Sequence, residues 1–93
     1  MPEPDEQAPG FEWDLGKAAR NRYTHGVSFR EATTVLDDPQ AVTVVDTWHS
    51  GGELRWITIG RSDLGRWLVV MHAERGSTMR IISARPASGR ELP

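Results

Sequence analysis

The spacing of apolar positions changes once along the chain, near residue 40, from a helical to an extended period. Before that point, Phe11-Glu12-Trp13-Asp14 alternates apolar and polar and predicts a short strand. Asp14 is placed to cap a helix carrying Leu15, Ala18, Ala19 and Arg22 or Tyr23 on one stripe, with Gly26 as its stop. Ser28-Phe29-Arg30-Glu31 reads as a capping box with Val27 as the outer half of a hydrophobic staple, so a second helix is expected to about Leu36, ended by Asp37-Asp38-Pro39. Beyond it, the stretches 41–48, 53–61, 66–74 and 79–84 are rich in Val, Ile, Thr or Trp and predict four strands. Their connections, Ser50-Gly51-Gly52, Ser62-Asp63-Leu64-Gly65 and Arg75-Gly76-Ser77, are short Gly-bearing links of the hairpin kind. The expected fold is therefore α+β, with two N-terminal helices packed on a mostly antiparallel sheet whose other face stays partly open. Residues 1–10, with three Pro, one Gly and three acids, predict a flexible leader ahead of a single domain over 11–93.

A chain of 93 residues allows one small core, which makes a permanent partner plausible. No stretch approaches the ~20 apolar residues of a membrane span. The absence of Cys excludes disulfides, Cys-ligated zinc and thiol catalysis. With no signal-peptide pattern at the N-terminus, a cytoplasmic location is expected. The net charge of −2 hides a polarity: residues 1–54 hold four basic and ten acidic groups, and residues 55–93 hold seven basic and three acidic. Lys17 is the single Lys among eleven basic residues, and the ten Arg suit bidentate phosphate contacts as well as a GC-rich coding sequence.

His25, His49 and His72 are too far apart in sequence for the close pairing of metal ligands, which leaves a metal-dependent hydrolase built on them with little support. No serine elbow, phosphate-binding glycine loop or dinucleotide fingerprint occurs. The remaining chemistry is cationic. Arg75, Arg80, Arg85 and Arg90 recur at intervals of five, a spacing that in a regular strand alternates faces. His25 reads either as a residue facing the last carbonyls of its helix or as a general base near neutral pH. Asp37-Asp38 reads as a turn, and Glu53 and Glu74 as partners of Arg across the sheet. Phe11, Trp13, Trp56 and Trp67 are expected in the core.

Taken together, Phe11-Glu12-Trp13-Asp14 with Lys17 and Asn21, His25-Gly26-Val27-Ser28-Phe29 with Glu31-Ala32, Asp38-Pro39, His49-Ser50, Glu53 and Arg55 form an ordered set. It continues with Ile59-Gly60-Arg61-Ser62, Gly65-Arg66, Glu74-Arg75-Gly76 and Arg80-Ile81-Ile82-Ser83-Ala84-Arg85-Pro86-Ala87. The chain in this respect resembles the BrnT-type toxins of bacterial type II toxin–antitoxin systems, over Phe11 to about Glu91. The resemblance implies a RelE-like fold and a cofactor-free, metal-independent ribonuclease that cleaves mRNA, inhibits translation, and is restrained by a ribbon-helix-helix antitoxin. It places the functional residues on His25, Arg75, Arg80 and Arg85, with Lys17, Arg61 and Arg90 as further cations for the RNA. Such a toxin meets DNA only through its antitoxin complex. Metal-free cleavage needs a base for the 2′-OH and cations for the phosphorane, which His and Arg supply. The family commonly has Lys before His-Gly, where this chain has Thr24, and it continues past Ala87 with basic residues, where this chain has Gly89, Leu92 and Pro93. These departures define the alternative, a catalytically weak or inactive RelE-like module retained for antitoxin binding and promoter autoregulation.

Overall fold

The computed structural model describes residues 3–48 and 51–92, so His49 and Ser50 lie outside the described residues. The elements are β1 (Phe11–Glu12), α1 (Leu15–His25), α2 (Phe29–Val35), β2 (Val42–Val45), β3 (Arg55–Arg61), β4 (Trp67–Arg75), β5 (Thr78–Pro86) and a closing 3-10 turn (Gly89–Glu91). Each of the four predicted strands is present, and β2 to β5 form an antiparallel meander. β1 joins parallel to β5, giving the order β1-β5-β4-β3-β2.

Both helices cover one face of this sheet. Trp13, Ala18, Val27, Phe29, Ala32 and Val35 pack on Leu68, Val70, Ile81 and Ala84, and Trp13 meets Phe29 edge-on with ring centroids 6.0 Å apart. The expectation for the other aromatics needs correction. Phe11 packs against the cluster, but the strand alternation puts Trp67 on the uncovered face, and Trp56 is only half-buried. Gly60 is required where α2 meets β3, because a Cβ there would come within 2.9 Å of the Ala41 Cβ and 3.2 Å of Val35 Cγ1.

Asp14 caps α1 by accepting from the Lys17 N–H at 2.8 Å, and Gly26 ends it with φ 69, a conformation only Gly adopts cheaply. The buried face of α1 differs from the predicted stripe. Ala18 and Asn21 point inward, whereas Leu15 and Tyr23 are 60% and 94% exposed. The buried position goes to an amide because α1 lies along the edge of β5, where backbone groups need partners. In α2 the capping box is half formed. Ser28 Oγ accepts from the Glu31 N–H at 3.0 Å, but the Glu31 carboxylate turns inward to Ser62 Oγ (2.7 Å) and Arg66.

Within residues 3–9, which the sequence assigns to the leader, Asp5 and Gln7 make hydrogen bonds to the domain. Trp13 Nε1 donates to the Asp5 carbonyl at 2.9 Å, Gln7 Nε2 to the Trp13 carbonyl at 2.9 Å, and Arg22 to the Asp5 carboxylate at 2.9 Å. Besides these polar contacts, Ala8 packs against the hydrophobic core.

Candidate nucleic-acid interface

One irregularity in the sheet arranges the cations. Met71 pairs with Ser83 and His72 with Ile81, so Ile82 is left over as a β-bulge. The bulge shifts the alternation by one, and Ile81 and Ala84, three apart, both face the core. Their neighbours Arg80 and Arg85 therefore share the uncovered face, which corrects the expectation that a spacing of five puts them on opposite faces.

The outer edge of β5 is covered by β1 only at Met79 and Arg80. Further along, Asn21 substitutes for a strand: its Nδ2 donates to the Ala84 carbonyl at 2.7 Å and its Oδ1 accepts from the Ala84 N–H at 3.1 Å. Nδ2 also donates to the Val27 carbonyl at 3.0 Å, which satisfies the buried amide. Asn21 thereby brings the outer stripe of α1 beside the bulge. Lys17, Arg20, Thr24 and His25 line a shallow depression there with Asn21 and Ile82. Spacings of three, four and seven put Lys17, Arg20, Asn21 and Thr24 on one helix face.

Two of the three histidines can be placed. His25 is exposed in this depression. The loop behind it is braced, since Arg66 donates to the Gly26 carbonyl at 3.0 Å while its Nε donates to Glu31 at 2.9 Å. Burial alone would raise the Glu31 pKa, but the hydrogen bonds from Arg66 and Ser62 and the Arg66 charge together hold it below its usual value. His72 is buried, with Nε2 2.7 Å from Thr58 Oγ1 and Nδ1 3.0 Å from Met79 Sδ, and desolvation lowers its pKa. It belongs to the packing. Among the described residues no three His, Asp or Glu side chains gather as a metal site.

On the uncovered face Arg55 and Arg80 flank Ala73 in one cross-strand row. Glu53 lies 3.4 Å from Arg75 and 3.8 Å from Arg55. Arg85 is held in a fork by Glu91, at 2.8 and 2.7 Å, and the Ser88 N–H donates to the same carboxylate at 2.8 Å. The Arg85 guanidinium and the Ser88 N–H pull the Glu91 pKa down to about 2. Among the described residues, Arg80, Lys17 and Arg20 make no ion pair. Of the other predicted cations, Arg61 lies over the Trp67 ring at 5.8 Å and Arg90 is exposed on the closing turn, and neither lines the depression that holds Lys17. Glu74 forms no ion pair among the described residues.

A sequence profile describing "Ribonuclease toxin, BrnT, of type II toxin-antitoxin system" matches residues 13–91. The chain belongs to the BrnT family. The crystal structure of the ribonuclease toxin BrnT of Brucella abortus shares the fold, with a TM-score of 0.65 and 25% identity over 84% of this chain and 95% of that one. No curated protein matches in sequence. The α+β architecture of this BrnT-family chain thus agrees with the expectation, and a type II system supplies a protein antitoxin as its partner. Within this BrnT fold the predicted site residues fall into two groups. His25 and Lys17 meet in the depression on α1, while Arg80 and Arg85 lie on the uncovered sheet face, with Arg75 at the strand end beside Glu53. Sequence reasoning missed Arg20, whose signal was its place three residues after Lys17, and the structural work of Asn21.

Proposed function

We propose that this BrnT-family chain is a metal-independent endoribonuclease that cleaves mRNA in the cytoplasm, inhibits translation and growth, and is neutralised by a ribbon-helix-helix antitoxin that covers its cations. DNA is contacted only through that complex. The RNA backbone lies around the bulged edge of β5, with phosphates held by Lys17, Arg20 and Arg80. His25 takes the 2′-OH proton, the 2′-oxygen attacks phosphorus, and the bond to O5′ breaks. The product ends are a 2′,3′-cyclic phosphate and a 5′-hydroxyl, whose proton comes from water. Arg75 adds charge from the strand end, and Arg85, fixed by Glu91, positions the end of β5. Arg61 and Arg90 extend the RNA contact at the far end.

The observation carrying this reading is the meeting of His25 with Lys17 and Arg20, two cations that make no ion pair among the described residues, beside the Ile82 bulge. Its test is cleavage of a defined RNA, with chelator in excess, by wild type and His25→Ala. Acid–base catalysis contributes about 10² to 10⁴, so a loss of that size is expected in the variant, with chelator inert. Equal rates would remove His25 from the chemistry. The Glu91 clamp on Arg85 favours a second reading, the weakly catalytic module. That reading predicts wild-type cleavage near background while antitoxin binding stays intact.

A further inference from the structure

The two edges of the sheet are treated differently. At the β5 edge the two-residue strand β1 and the Asn21 amide occupy the backbone groups. At the other edge β2 is the last strand in the sheet order, and all four of its residues are exposed. Natural edge strands are usually blunted by charge, proline or a bulge, because unpaired N–H and C=O groups recruit another strand. Residues 40–45, Gln-Ala-Val-Thr-Val-Val, carry none of these devices. Val42 and Val44 are 59% and 51% exposed.

The direction of the open backbone groups follows from the ladder. The Asp46 N–H donates to the Arg55 carbonyl at 2.8 Å, and the register continues as Val44↔Ile57 and Val42↔Ile59. Hydrogen-bonded pairs alternate in an antiparallel ladder, so Val42 and Val44 bond to β3 while Thr43 and Val45 turn their N–H and C=O outward. These two residues straddle Val44.

We propose that β2 pairs with β2 of a second copy of this chain, antiparallel, about a two-fold axis through Val44. Thr43 of each copy then stands opposite Val45 of the other. Each such pair exchanges both of its hydrogen bonds, and every outward backbone group of Thr43 and Val45 finds a partner. The occupant is a second copy because the exposed groups are self-complementary under that rotation and residues 39–45 are uncharged, so identical strands meet without repulsion. Val44 meets Val44 of the second copy on the uncovered face, extending the apolar row it shares with Ile57. The interface is small, which places it in the transient class and calls for concentrations on the order of 100 µM to populate it. The pairing does not depend on the RNA-cleaving reading.

The test uses the absence of cysteine from the chain. The axial pair is of the non-hydrogen-bonded type, with Cα atoms about 4.5 Å apart, within reach of a disulfide. Val44→Cys is expected to cross-link on mild oxidation at least ten times faster than Val42→Cys, which is as exposed but off the axis. In sedimentation equilibrium, the wild-type mass should rise with concentration toward a dimer. Val44→Lys, which puts like charges together on the axis, and Val45→Pro, which removes an outward N–H, should both stay monomeric with unchanged circular dichroism. A monomeric wild type, or equal cross-linking of the two cysteine variants, assigns the edge to another protein's strand or to solvent and overturns the proposal.

Discussion

Arg80 and Arg85 stand on the same face of the same strand, yet one is free and the other is held. Arg80 makes no ion pair among the described residues, whereas Arg85 is forked onto Glu91 at 2.8 and 2.7 Å. Arg66 belongs with Arg85, since its guanidinium joins Glu31 to the Gly26 carbonyl. The held arginines fix neighbouring chain segments, and on the proposed function the free cations are the ones left for RNA. A phosphate reaching Arg85 must first displace a bidentate carboxylate, whereas Arg80 has no such carboxylate partner among the described residues.

Among the arginines, the largest effect should come from removing a free one. Arg80→Ala is expected to slow RNA cleavage by about 10² to 10³, the size associated with one preorganised donor. Its melting temperature should be unchanged. Arg85→Ala should slow cleavage by less than ~10-fold while lowering the melting temperature, because it leaves Glu91 without its fork. Parallel kinetic and thermal measurements on the two variants would break the comparison if their losses in rate were alike.

The next effect is on stability. Glu31→Ala is expected to cost about 2 kcal/mol, below the 3–5 kcal/mol of a fully buried pair, because the Arg66 side chain is still 39% exposed. For a domain of this size that is a fall of about 10 °C in calorimetry. A smaller effect should follow from releasing a held arginine. Glu91→Gln frees Arg85 for a phosphate, so RNA affinity should rise and its logarithmic salt dependence should steepen by about 0.7 in single-stranded RNA.

The pH dependence sharpens the same division. The His72 pKa is lowered in the folded state, so the unfolded chain takes the proton first. The contribution of His72 is complete above about 6.5, the ordinary histidine value, and is lost as pH falls toward its lowered folded value. Glu91 behaves likewise in a more acid window. Its stabilisation is present above the usual carboxylate range near 4.5 and fades as pH falls toward about 2. Melting temperatures should therefore decline in two steps on acidification, with the second step smaller in Glu91→Gln but not abolished, because Glu31 and Asp38 also have lowered pKa values and titrate in the same acid window.

What the sequence made legible were elements with a local cause. Asp14 and Ser28 mark their caps within three residues, Gly26 its left-handed turn, and the Val- and Ile-rich stretches their strands. The bulge at Ile82 was not legible, because it depends on which residues of β4 stand opposite β5, and with it went the shared face of Arg80 and Arg85. Asn21 reads as a polar interruption of a helix until the bare edge of Ala84 is beside it. Glu31 looks like the closing arm of a capping box, and it takes a partner 35 residues away that local pattern does not reveal. His25, Lys17 and the arginines were picked out by their resemblance to a family, while their division into free and held came only from three-dimensional partners.

On the proposed function, free cations and not held ones bind the RNA backbone. This is tested most directly by the salt dependence of RNA affinity in a His25→Ala background, where cleavage does not interfere. Each lost phosphate contact should reduce the slope of log K against log salt by about 0.7 for a single strand. Adding Arg80→Ala should bring that reduction, and adding Arg85→Ala should leave the slope unchanged; an unchanged slope for Arg80→Ala, or equal reductions for both, would show that RNA does not distinguish the free arginine from the held one.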